Sequence, residues 1–79
     1  MKLKSNVAVS ENGFIFNPTT GESYTVNPIG LNILQHLKNH ESKDTIISNL
    51  TQEFETDITA AEKDYEDFSE MLKKFGLVE

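Results

Sequence analysis

A chain of 79 residues with 37% apolar content makes one small domain with a single modest core. Its formal net charge is −6, and all seven basic residues are lysines, a balance that disfavours phosphate backbones and anionic membranes as partners. The absence of cysteine excludes disulfide frameworks, thiolate metal sites and cysteine nucleophiles, and no apolar run approaches the roughly 20 residues that a membrane-spanning helix needs.

The first residues, Met1-Lys2-Leu3-Lys4-Ser5-Asn6, carry charge with no apolar stretch behind them, so they do not form a signal peptide; the cytoplasm is the expected compartment. Leu3, Val7 and Val9 alternate with polar or small residues and predict a first strand near residues 3–9. Asn12-Gly13 is a hairpin signal, because both residues tolerate positive φ. Phe14-Ile15-Phe16 follows as a second strand, with Phe14 and Phe16 on one face. Asn17-Pro18-Thr19-Thr20-Gly21 is turn chemistry throughout, and a third strand is expected from Glu22 to Val26. Three strands joined by short turns form an antiparallel meander with strand three at one edge.

The hydrophobic period then changes from two to between three and four. Asn27 suits a helix N-cap and Pro28 the first helical position, where its missing N–H costs nothing. Ile29, Ile33, Leu34 and Leu37 predict a helix over residues 28–39. Ser42 looks like the next N-cap, with Ile46, Ile47, Leu50 and Phe54 as the apolar stripe of a helix over 43–54. Thr59 and Glu62 fit a capping box, and the third helix carries Ala61, Tyr65, Phe68, Leu72 and Phe75. Lys73 and Lys74 suit the negative end of its dipole, Gly76 suits C′, and Leu77 and Val78 can fold back onto the core. The expected architecture is α+β, β-β-β-α-α-α. A three-stranded antiparallel sheet precedes a three-helix bundle, winged helix-turn-helix-like, in one domain spanning 1–79.

The ordered set Gly-x-x-Tyr-x-Val-Asn-Pro-x-Gly-x-x-Ile-Leu-x-x-Leu, Gly21 to Leu37, resembles the PqqD-like proteins. The second-helix pattern from Ser42 to Phe54 is similar to theirs, as are Asp64-Tyr65, Phe68, Leu72, Gly76 and Leu77. This family comprises RiPP recognition elements, non-catalytic peptide chaperones that bind the leader segment of a ribosomally made precursor peptide. They present it to a modifying enzyme, often a radical S-adenosylmethionine (radical SAM) enzyme. The resemblance implies that the leader adds as a strand to strand three, along Glu22, Ser23, Tyr24, Thr25 and Val26. It also implies a wall on helix three of Tyr65, Phe68 and Leu72, with Asp64 and Ser69 at the rim. The chain departs from the family with Val26 where Leu is common, and with Asn39-His40-Glu41 where Asp-Gly is common. These departures leave open whether the pathway makes pyrroloquinoline quinone or another peptide product.

The residues point the same way, since an unpaired strand edge offers N–H and C=O groups that an extended peptide satisfies. The same edge can pair with a second copy of the chain, which would make a homodimer. Other chemistry finds little support. His36 and His40 lie four apart on a helix with no third ligand in view, so no metal is expected. Glu62, Asp64, Glu66, Asp67 and Glu70 spread around a polar helix side rather than converging. Gly13, Gly21, Gly30 and Gly76 are too scattered to cradle a phosphate, no triad is evident, and neither catalysis nor a cofactor is expected. A winged-helix nucleic-acid binder is the alternative. Its recognition helix would set Asp57, Glu62, Asp64, Glu66, Asp67 and Glu70 against Lys63, Lys73 and Lys74, a net charge that repels phosphate.

Overall fold

The computed structural model describes all 79 residues as three antiparallel strands followed by three helices. The strands are β1 (Ala8–Val9), β2 (Phe14–Asn17) and β3 (Glu22–Thr25), in the spatial order β1-β2-β3. The helices are α1 (Pro28–Lys38), α2 (Lys43–Glu53) and α3 (Ile58–Lys74). No helix is long and apolar enough to cross a membrane.

β1 is much shorter than residues 3–9. Val7 N–H donates to the Lys4 carbonyl, which turns the chain before the ladder begins. Leu3 instead bridges Val78. The β1–β2 connection pairs Ser10 with Phe14 and leaves Glu11, Asn12 and Gly13 as the loop, with Gly13 alone at positive φ (+87°). That is the three-residue hairpin with a left-handed third residue, not the two-residue Asn-Gly turn. β2 also runs one residue past the predicted strand. Asn17 is buried, and its Oδ1 accepts from Thr19 N–H at 3.0 Å, starting the turn from inside the sheet.

Phe14 and Phe16 do share a face, and it is the outward one, while Ile15 between them is fully buried. The inward face of Val9, Ile15 and Tyr24 carries the helices. Ile33, Leu34 and Leu37 of α1, Ile46, Ile47 and Leu50 of α2, and Ala61, Tyr65 and Leu72 of α3 complete the core. Each buried Leu or Ile contributes about 1.5–3 kcal/mol relative to exposure.

The helix starts follow their side chains. Asn27 Oδ1 accepts from Gly30 N–H at 2.8 Å, and Ser42 Oγ from Thr45 N–H at 3.2 Å. The third cap is Asp57, not Thr59: Asp57 Oδ1 accepts from Ala60 N–H at 2.8 Å, and Thr59 falls inside the first turn. α3 ends in a Schellman motif. Gly76 at φ +67° lets its N–H reach the Lys73 carbonyl, while Leu77 N–H bonds to the Leu72 carbonyl at 2.9 Å. Leu77 is thereby buried, and the tail pairs with the N-terminus through Lys4 N–H to the Leu77 carbonyl and Glu79 N–H to the Lys2 carbonyl.

Candidate functional site

β3 is an edge strand, and its register determines which backbone groups are free. Its partners on β2 run Phe14–Thr25, Ile15–Tyr24, Phe16–Ser23 and Asn17–Glu22, all antiparallel. Beyond the Phe14–Thr25 pair, Val26 N–H donates to the Gly13 carbonyl at 2.8 Å, so Val26 continues the ladder although β3 ends at Thr25. Alternation then puts Glu22, Tyr24 and Val26 in the hydrogen-bonded positions facing β2. Ser23 and Thr25 turn their N–H and C=O groups to the open edge.

Beside that edge lies a groove between β3 and α3. Its apolar part, about 340 Å³, is lined by Tyr24, Thr25, Val26, Asn27, Phe68, Met71 and Phe75. Asn27, Phe68 and Met71 also line a second part of about 320 Å³, which continues along Ile29, Gly30, Asp64 and Asp67. The Tyr24 and Phe75 rings are tilted by 30° with centroids 4.6 Å apart, which joins strand to helix at the apolar end. Partial desolvation, reinforced by the negative charge of Glu22, raises the Tyr24 phenol above its usual value. At the centre, Phe68 packs on Gly30. A Cβ there would lie 2.7 Å from Phe68 Cε1, so only glycine lets the ring settle this low over α1. Asp67 at the polar end is bound to Lys63 Nζ at 2.8 Å, one helical turn away.

Not every residue expected at the site lies in this groove. Tyr24, Thr25, Val26, Asp64 and Phe68 line it, and Glu22 and Ser23 lie exposed along the same strand. Tyr65, Ser69 and Leu72 do not line it: their relative exposures are 6%, 5% and 0%. Tyr65 turns towards α2, where Lys43 Nζ stands 5.6 Å from its ring centroid. Ser69 is no rim residue, since its Oγ donates to Met1 Sδ at 3.4 Å beneath the N-terminus. Each successive residue turns about 100° around the helix, so Phe68 faces the groove while Ser69 and Leu72 face inward. Asn27, Ile29, Gly30, Asp67, Met71 and Phe75 are the lining residues absent from the expected set. Phe68, Met71 and Phe75 recur at intervals of three and four, in line with Asp64; that spacing is the signal by which a second stripe on α3 can be found.

The remaining titratable groups do not converge on a reaction centre. His36 contacts the Glu41 carboxylate through Nδ1 and Asn49 Oδ1 through Nε2 at 3.0 Å, which ties the end of α1 to α2. His40 is exposed and at positive φ, outside the helix that would have aligned it with His36. Lys43 Nζ bonds Glu66 at 2.5 Å, the main cause of its raised pKa. The largest cavity, about 600 Å³ between α2 and the start of α3, is lined mainly by polar and charged residues, with Ile47 and Ile58 among them.

Residues 12–78 match the family described as coenzyme PQQ synthesis protein D (PqqD). No curated protein matches the chain. Two solved structures share its fold across almost its entire length. One is TbiB1 in complex with the TbiA(beta) leader peptide, at 22% identity and a TM-score of 0.90, covering 100% of this chain and 95% of that one. The other is a lasso peptide synthetase B1 complexed with the leader peptide, at 26% identity and a TM-score of 0.85, covering 99% of this chain and 95% of that one. With a family match that spans nearly all of its strands and helices, the chain belongs to the PqqD family.

Proposed function

We propose that this protein is a non-catalytic peptide-binding module that takes up the leader segment of a ribosomally made precursor peptide and presents it to a modifying enzyme. The observation that carries the reading is the open edge of β3 beside an apolar groove on α3. Both similar structures are complexes with leader peptides, which supports the same ligand class here. The leader adds as a strand along residues 22–26. Ser23 and Thr25 supply main-chain pairing, and alternate leader side chains enter the groove among Tyr24, Val26, Phe68, Met71 and Phe75. Main-chain pairing supplies affinity with little selectivity, and the groove supplies the selectivity. The modifying enzyme is expected to be a radical SAM enzyme or another enzyme acting on peptides. A second copy of the chain pairing through β3 would compete with the leader for the same edge.

The test is an NMR titration of labelled protein with the leader peptide encoded beside its gene. Shifts should concentrate on residues 22–26 and on Phe68, Met71 and Phe75, with little change at Tyr65 or Leu72. Thr25→Pro removes an outward donor and leaves the β2–β3 ladder intact, so it should weaken binding about tenfold, or about 1.4 kcal/mol, in a folded protein. Undiminished binding by that variant would count against strand addition at this edge.

A further inference from the structure

The lysines are not spread evenly. Lys43 and Lys63 are bound to acids on α3, whereas Lys4, Lys38, Lys73 and Lys74 have no ion-pair partner. Lys2, Lys4, Lys38 and His40 surround a basin of about 270 Å³ with Leu3 and Leu37 in its lining. Lys4 Nζ reaches the end of α3, 3.9 Å from where a Cβ on Gly76 would sit, and Lys73 and Lys74 belong to the last turn of that helix. Only Lys2 has a neighbouring acid, Glu79 at 3.6 Å. Attraction to helix C-termini accounts for Lys38, Lys73 and Lys74. Lys2 and Lys4 join them from the N-terminal segment, Lys4 at the end of α3, whereas α2 ends with no basic residue at all.

We propose that this basin docks a carboxylate-rich segment of a partner protein. Two unpaired lysines, Lys4 and Lys38, beside an apolar floor complement a short acidic stretch carrying an occasional apolar side chain. A nucleic acid fits less well, because phosphates running past the basin would meet the acidic surface that makes up the rest of the chain. The basin lies at the C-terminal end of α1 and the polar part of the groove at its N-terminal start, separated by an 11-residue helix of roughly 16 Å, while the apolar part of the groove reaches Phe75, next to Gly76. The assignment rests on the lysine distribution and stands whether or not the groove takes a leader.

An oligoglutamate peptide titrated into labelled protein at low salt is the direct test, with a glycine-serine peptide of equal length and a short DNA duplex as comparisons. Oligoglutamate should shift the amides around Leu3, Lys4, Lys38 and His40. Affinity should fall with added salt, and by about tenfold in the K4E/K38E double variant, while K63E changes little. Should the charge reversal disturb the fold, K4Q/K38Q tests the same point. A silent titration, shifts spread equally over Lys43 and Lys63, or a basin that responds to the duplex and not to oligoglutamate would each overturn the proposal.

Discussion

Along α3, Ala61, Tyr65, Ser69 and Leu72 are sealed against the rest of the core, while Asp64, Phe68, Met71 and Phe75 stand half open or exposed beside β3. Both stripes repeat at helical spacing, and both contain an aromatic residue and a polar one. What separates them lies outside the helix. The first stripe faces elements that cover it fully, and the second faces a strand whose far edge has no partner. Apolar periodicity therefore marks both faces, and only the opposing surface decides which is core.

The sharpest way to break this comparison is Leu72→Ala. A residue with no exposure should lose about 2–5 kcal/mol of stability, measured by urea unfolding, with leader affinity unchanged in whatever fraction remains folded. Gly30→Ala probes the border between the two stripes. Its Cβ would strike the Phe68 ring, so about 1–3 kcal/mol is at stake if the ring is held. Because Phe68 is only half buried, the ring can instead swing into the groove; the variant then stays near wild-type stability and loses peptide binding. Asp57→Ala should cost about 1 kcal/mol and Thr59→Ala distinctly less, and the reverse order would return the cap to Thr59. On the open stripe, Met71→Ala should cost about 1 kcal/mol or less in stability and yet weaken leader binding severalfold.

Alkaline pH offers the gentlest contrast. Burial is the main cause raising both Tyr24 and Tyr65, and for Tyr65 the nearby Lys43 opposes the rise. An acid raised on folding keeps its proton longer in the native state, so stability is fully present below the unfolded value near 10 and declines as pH climbs through the folded values. Tyrosinate absorbance should lag behind that of the unfolded chain. Bound leader should delay the Tyr24 component further and leave the Tyr65 component unmoved.

Most of the fold was legible because its signals are local. Asn27-Pro28, Ser42 and Gly76 each act through a side chain or a backbone angle within a few residues, and all three do in the structure what their positions imply. The shortened first strand was not legible. Leu3 is buried by a bridge to Val78 at the other end of the chain, and alternation looks the same whether a residue pairs in the main sheet or elsewhere. Thr59 was misread as a cap because its capping-box spacing with Glu62 competes with a plain aspartate two residues earlier. At the site, the strand edge followed from the meander itself. The helix wall did not, since the resemblance supplied α3 positions without saying which way each one turns. Phe68 and Asp64 line the groove, whereas Tyr65, Ser69 and Leu72 face inward.

The bridge between Leu3 and Val78, with its flanking hydrogen bonds, brings residues 2–4 alongside residues 77–79. Topologically the domain is close to a ring. A short linker from residue 79 to residue 1 would close it with little added loop entropy, and new ends could be opened at the exposed turn around Asn39 and His40, on the far side of α1 from the groove. Such a permutant would leave β3 and α3 each unbroken and join them through the new linker, so the domain could be spliced into the loop of a host protein and carry its groove intact.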